Sequence, residues 1–407
     1  MKLSGILSCA ALLGALSLLP YAAAQETVRP EVGNPLKAAG DMMKSSRYKE
    51  ALNKVREADQ VSGKTPYESF LIERMRSSAA LGAGDNETAI KSLEAVIASG
   101  KLPGGEQGKM MDTLANTFYR NKDYPNTIKW MQKAMQAGGG SAQSRTLIIQ
   151  SYFLMNDFGT AAKEALSDIQ AEEKAGRTPS EEKLQLLANC YLKQKDSNGY
   201  VATIEKLLNY YPKKSLWADV LSRLQRKSGF SDRLALDVFR LQLATGNLSN
   251  TNDFMEMAQL ALQAGSAIEA KKVVDAGFAS GAMGKGSDAE RQKRLKDLAE
   301  KQAAESKKLL DAGGDEAGAK AAKDGNALVA LGFNYVYGGQ AAKGIALMDE
   351  GIKKGGLKRP EDAKLHLGIA YQMAGQKSKA VQTFKSLSGT DGVADLGNLW
   401  AIYTQRS

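Results

Sequence analysis

Cysteine and histidine are almost missing from this sequence: 407 residues carry two cysteines and one histidine. One cysteine, Cys9, lies in an apolar N-terminal stretch, and the other is Cys190. A chain with a single cysteine beyond its leader forms no internal disulfide. Cys190 and His366 alone are too few ligands for a zinc site. Beyond the N-terminus no apolar run approaches the roughly 20 residues of a membrane span. The longest, residues 147–155, contains Gln150. Strand-like alternation is also lacking, so no separate sheet domain is expected. The net charge of +10 is a mild excess for this length, with no block of five like charges, and nucleic-acid binding is not favoured. Gly284 and Lys285 imitate a phosphate loop, but no glycine stands five residues earlier and no Ser or Thr follows. No cofactor and no metal is expected.

The chain opens on Lys2, an apolar run from Ile6 to Leu19, Pro20, and the small residues Ala22, Ala23 and Ala24. That order predicts a cleaved secretory signal over residues 1–24 and an exported, periplasmic protein. Cys9 follows too little apolar sequence to serve as a lipoprotein cysteine. Residues 25–35 contain two prolines and no periodicity, and read as a flexible leader.

What is present is a repeated pattern. In residues 109–139 Met110, Leu114, Ala115 and Phe118 share one helical face. A polar break, Asn121-Lys122-Asp123, follows. Ile128, Met131, Ala134 and Met135 then mark a second helix, which Gly138 to Gly140 stop. The same two-helix unit returns around Tyr152 and Phe158, Leu187-Ala188-Tyr191, Trp217-Val220-Leu221-Leu224, and Ala258-Ala261-Ala270. It returns again at Leu331-Gly332-Tyr335-Gly344 and Leu367-Gly368-Tyr371-Gly375-Ala380-Phe384, and upstream around Tyr48-Ala51 and Ala80-Gly84-Ala89. Copies recur about every 33–39 residues, which is the signature of stacked helical hairpins. Small residues such as Ala115, Ala188 and Gly368 let the two helices of a unit approach closely.

The pattern resembles the tetratricopeptide repeat family over roughly residues 36–387, with Trp217 to Leu224, Leu367 to Phe384, and Tyr191 to Pro212 as its best matches. Most copies lack the family's final proline. The expected fold is all-α: a right-handed α-solenoid of about nine to ten helix pairs. Residues 36–280 form an N-terminal array. Residues 281–325, strongly helical but polar, read as an eroded repeat or linker that bridges two halves or moves, with only Leu295, Leu298, Leu309 and Leu310 able to pack. Residues 326–388 give two further repeats, and residues 389–407 a C-terminal cap.

The resemblance implies that first helices line a concave groove. By that frame Asn116, Gln150, Asn189, Ser222 and Gln259 form an amide-rich ladder able to hold an extended peptide's backbone. Arg120, Lys193 and Arg226 give the groove a positive bias, joined by Lys109 and Tyr119. At the far end Phe333 and Tyr337, with Ile369 and Met373, make an apolar patch. His366, between two leucines in a helix, and Cys190 read as structural.

The partner expected is thus a protein or an extended, acidic peptide. The expected role is a non-enzymatic adaptor in cell-envelope assembly. The alternatives are a regulatory or substrate-binding subunit of a cell-wall or secretion enzyme, docking through Phe333 and Tyr337, and an enzyme acting on envelope polymers. The last requires two close, groove-facing carboxylates of shifted acidity.

Overall fold

A computed structural model of the chain describes residues 27–407. The signal expected at residues 1–24 lies outside them, as do positions 25 and 26. The described chain falls into two compact units that meet at residues 156 and 157. Every regular element in both is helical.

The first unit holds α1 (Pro30–Lys44), α2 (Tyr48–Asp59), α3 (Pro66–Ala83), α4 (Asn86–Ala98), α5 (Gly104–Arg120), α6 (Tyr124–Gln136) and α7 (Ala142–Leu154). Residues 30–35, expected as part of a flexible leader, instead open α1. Pro30 stands at the first helical positions, where its fixed φ suits a helix start. Val32 and Leu36 are buried against α2 and α3, which holds the segment down. Arg29, just before α1, donates from Nη2 to Glu68 Oε2 at 2.8 Å. Glu68 and Thr65 form the capping box of α3. The Arg29 bonds, then the Thr65 backbone N–H, bring the Glu68 carboxyl down to about 2.

One turn chemistry repeats along the chain. A residue in the left-handed region is followed by an aspartate that caps the next helix. Gly84 precedes Asp85, Lys122 precedes Asp123, Asn156 precedes Asp157, Lys195 precedes Asp196, and Gly314 precedes Asp315. Each aspartate accepts the N–H three residues on, from Thr88, Asn126, Thr160, Gly199 and Gly318. Such a cap is worth about 1 kcal/mol over alanine. It fixes the entry angle of the helix that each of these aspartates opens.

The second unit holds α8 (Phe158–Lys174), α9 (Glu181–Gln194), α10 (Ser197–Tyr210), α11 (Lys214–Gln225), a 3₁₀ turn (Asp232–Leu234), α12 (Ala235–Ala244), α13 (Thr251–Gln263) and α14 (Ala267–Ala279). It continues with α15 (Ala289–Asp311), α16 (Glu316–Ala321), α17 (Asn326–Tyr337), α18 (Ala341–Lys354), α19 (Pro360–Met373), α20 (Lys377–Lys385) and α21 (Val393–Arg406). The polar α15 packs along α13 and α14. Leu295 and Leu310 are buried, but Leu298 and Leu309 are exposed. The contact is completed by Ala299, Ala303 and Gln292, whose Oε1 accepts the Gly284 N–H at 2.6 Å. Small side chains on a narrow stripe seat this helix, which counting leucines alone underestimates.

The α17–α18 pair is the tightest. A Cβ on Gly332 would stand 2.5 Å from the Gly344 carbonyl oxygen, and one on Gly325 only 1.8 Å from that of Gly351. No other residue type permits that approach.

The second unit also closes on itself. The last helix, α21, packs on α19 and α20 and touches α10. The Ser231 N–H donates to the Asp391 carbonyl at 3.0 Å. Lys227 pairs with Asp395 at 2.8 Å, and Arg233 reaches both Asp362 and Asp391 at 2.7 Å.

Candidate functional site

In the first unit one cavity lies between two first helices, and none of the residues expected to hold a peptide lines it. A cavity of about 630 Å³ runs between α1 and α3, over Val28, Leu36, Met43, Leu71 and Met75. Lys37, Lys44 and Arg74 rim it, with Asp41 the lone carboxylate of the lining. Lys44 is paired with Asp41 at 2.8 Å and Arg74 with Glu106 at 2.9 Å. The floor is therefore apolar and the rim carries a cationic excess.

The residues expected to hold a peptide are divided between the two units. Lys109, Asn116, Tyr119, Arg120 and Gln150 belong to the first. There the structure brings Tyr119 and Gln150 together: the Tyr119 hydroxyl donates to Gln150 Oε1 at 3.3 Å. The Asn116 amide turns back to the Asp112 carbonyl on its own helix, at 2.8 Å. Arg120 donates to Thr117 Oγ1 at 3.2 Å, and Lys109 is exposed. Asn189, Lys193, Arg226 and Gln259 belong to the second unit, and all four are exposed.

Phe333 and Tyr337 are not an open patch, and Ile369 beside them is buried. Phe333 is 5% exposed. The His366 ring stacks on it, with centroids 4.9 Å apart, and the Arg240 guanidinium sits 4.9 Å from its centroid. The Tyr337 hydroxyl donates to Glu269 at 2.8 Å. These side chains are consumed by a charged cluster that ties together α12, α14, α17 and α19. Arg240 is its hub, giving Nε and Nη2 to the two Glu269 oxygens at 2.7 Å, and Nη1 to Asp237 at 2.6 Å. His366 Nε2 stands 2.9 Å from the same Asp237 oxygen.

Burial would raise Asp237, but His366 and Arg240 outweigh it and hold the carboxyl below the usual range. Burial and the Glu269 charge push the Tyr337 phenol well above its ordinary value. Arg240 stays charged against burial because Glu269 and Asp237 face it. His366 is thus structural, as its leucine neighbours suggest, but as part of a polar pin. A cleft of about 370 Å³ opens over this cluster, with Lys358 and Arg359 in its wall.

Cys190 is fully buried, and burial pushes its thiol up to about 11. Among the described residues no group of three or more His, Cys, Asp or Glu is arranged to hold a metal, and no helix is long and apolar enough to cross a membrane. Another large cavity, about 900 Å³, lies among α10, α11 and α21 and includes Arg226, Glu205 and Asp395. Sequence reasoning missed Glu205 and Arg240. Each sits in an ordinary amphipathic helix, and no local signal marks it.

The helix pairs, their caps and the small-residue contacts define a helical-repeat scaffold. A family model for the tetratricopeptide repeat matches residues 184–214 and 362–388, and the chain carries repeats of that type. A comparison with curated proteins finds no match.

Several solved structures are similar in fold. YrrB, described as a TPR protein with an unusual peptide-binding site, is 11% identical, over 45% of this chain and 87% of its own, with a TM-score of 0.34. The TPR2AB domain of yeast Sti1, in complex with an Hsp90 peptide, is 15% identical, over 66% of this chain and 98% of its own, at 0.27. Yeast Tom70 is 10% identical, over 92% and 96%, at 0.26. Likeness at this level says nothing of what this chain binds. The family itself is one of protein-binding scaffolds.

Proposed function

We propose that the protein is an exported, periplasmic adaptor that holds an extended segment of a partner protein in the α1–α3 groove, in service of cell-envelope assembly. The observation that carries the binding reading is that groove: an apolar floor formed by first helices under a cationic rim. It suits a peptide with apolar side chains directed inward and acidic ones outward. The export reading rests on the Lys2, apolar-run and Ala-Ala-Ala order of the N-terminus.

The alternative role, a regulatory or substrate-binding subunit of a cell-wall or secretion enzyme, uses the same groove, since Phe333 and Tyr337 are buried in the charged cluster. The hydrolase reading asks for two free carboxylates in one cleft. Glu205 and Asp395 share one, but Asp395 is already tied to Lys227 at 2.8 Å. That pairing favours binding over catalysis.

The test places a photo-crosslinking residue at Ser78, which lines the groove, and another at the exposed Lys91 of α4. Adducts in cell-envelope extracts should form from position 78, disappear in Leu71→Arg, and be absent from position 91. Equal adducts from both positions, or adducts indifferent to Leu71→Arg, overturn the groove. Export is read separately, by fractionation and by an intact mass that begins at Gln25.

A further inference from the structure

The cavity among α10, α11 and α21 is a different kind of site from the α1–α3 groove. Its lining is mixed: Val201 from α10, Val220 and Leu224 from α11 and Leu399 from α21 supply apolar patches among Ser197, Asn198, Ser228 and Asn398. Five charged side chains line it: Arg223, Arg226, Lys227, Glu205 and Asp395. Arg223 is engaged by Asp219 at 3.0 Å and lies over the Tyr200 ring at 4.2 Å. Lys227 is engaged by Asp395 at 2.8 Å. Arg226 is exposed and bonds the Ser222 carbonyl at 3.1 Å. Glu205 alone is a half-buried carboxyl with no hydrogen bond or ion pair among the described residues.

We infer that this cleft is a socket for a lysine- or arginine-bearing segment of a partner polypeptide, the aliphatic stem lying on Val220, Leu224 and Leu399 and the cationic head meeting Glu205. Long cationic side chains bury their methylenes on apolar surface while the head seeks an acceptor. A charged hydrogen bond to a desolvated carboxylate is among the stronger polar contacts. With Arg223 held by Asp219 and Lys227 by Asp395, Glu205 is the one carboxylate of the cleft left to receive a cation.

The socket carries its own signature. Burial, then the Asp395 charge, push the Glu205 carboxyl up to about 7, with Lys227 opposing. The cation binds the ionised form, so docking near neutral pH expels a proton from Glu205. Affinity therefore rises with pH through about 7 and levels off above it. Below that point it falls by up to about tenfold for each pH unit. The other charged groups facing Glu205 are Asp395 from α21, and Lys227, Arg223 and Arg226 from α11 and the turn after it.

The experiment uses the full chain with methyl-labelled leucine and valine, titrated with capped pentapeptides of alanine bearing one central residue. The lysine peptide should shift the Val201, Val220, Leu224 and Leu399 methyls. It should bind at least tenfold tighter than the norleucine peptide, which has the stem without the charge, or the glutamate peptide. Glu205→Gln, close in shape, should lose at least tenfold in affinity and abolish the pH slope. Its melting temperature should not fall, since an unpaired buried acid is removed. Leu71→Arg in the first unit should leave lysine-peptide binding unchanged, separating this socket from the α1–α3 groove. Equal or tighter binding of the norleucine or glutamate peptide, or unchanged affinity and pH slope in Glu205→Gln, overturns the inference.

Discussion

Replacing Arg240 by leucine should unsettle the second unit more than any surface change. Arg240 and Glu269 have side-chain exposures of 4% and 1%, and Asp237 of 6%. Removing the guanidinium strands two carboxylates away from water. Breaking a buried pair by deleting one partner costs about 3–5 kcal/mol. Two terms pull in opposite directions here. Loss of the contact with the Phe333 face adds about 1–2 kcal/mol. Against it, Asp237 keeps His366 and Glu269 keeps the Tyr337 hydroxyl.

A net loss of about 4 kcal/mol is expected, and for a unit of this size it lowers the melting temperature by about 8–16 °C. Calorimetry on the full chain reads it, with Lys44→Ala as control. The exposed pair Lys44–Asp41 should move the transition by little, since solvent screens an ion pair at the surface. A companion triple variant, Asp237→Leu, Arg240→Met and Glu269→Leu, should recover most of the loss by removing the stranded charges together. An Arg240→Leu shift no larger than the control's would show that the cluster does not hold the four helices together.

Other expectations follow from single contacts. Lys122, held at φ +61, should gain up to about 1 kcal/mol on substitution by glycine, read by urea unfolding. Gly332→Ala should cost about 1–3 kcal/mol or more, because its Cβ meets the Gly344 carbonyl and the backbones must part. Glu68 titrates near 2 when folded, below its ordinary 4.5. Its contribution is thus fully present above about 4.5 and is lost as pH falls through about 2. Amide exchange in α1 should accelerate over that window, and Glu68→Gln should remove the dependence. Cys190 should react with a thiol reagent only after unfolding, since it is fully buried and its thiol is pushed up to about 11.

The helix pairs were legible because their signals are local. Ala115, Ile128 and Met131 declare their faces within a few residues, and Gly138 to Gly140 declare a stop. The left-handed residue and capping aspartate, as in Lys122-Asp123, were visible only as a polar break. Their meaning needs the φ angle. Phe333 and Tyr337 were misjudged for the opposite reason. Helical spacing shows which side of a helix they occupy, but not that Arg240 and His366, 126 residues apart, arrive to cover it. Glu205 is equally silent in sequence, since its burial depends on Leu399 and Asp395 from the last helix. The groove ladder rested on one uniform frame, whereas its places fall in two compact units with different neighbours.

The tie between the turn after α11 and the start of α21 bears on when the second unit can finish folding. Neighbouring hairpins in the first unit can dock as soon as both have emerged from the ribosome. Lys227 and Arg233 instead wait for partners 129 to 168 residues further along. Until the final helix arrives, the face of α10 that it covers stays wet and Lys227 lacks Asp395. Contacts of such long sequence separation slow the search for the native state. A truncation that removes only α21 should therefore leave the second unit half-made, prone to holdase capture and early proteolysis, while the first unit matures on schedule.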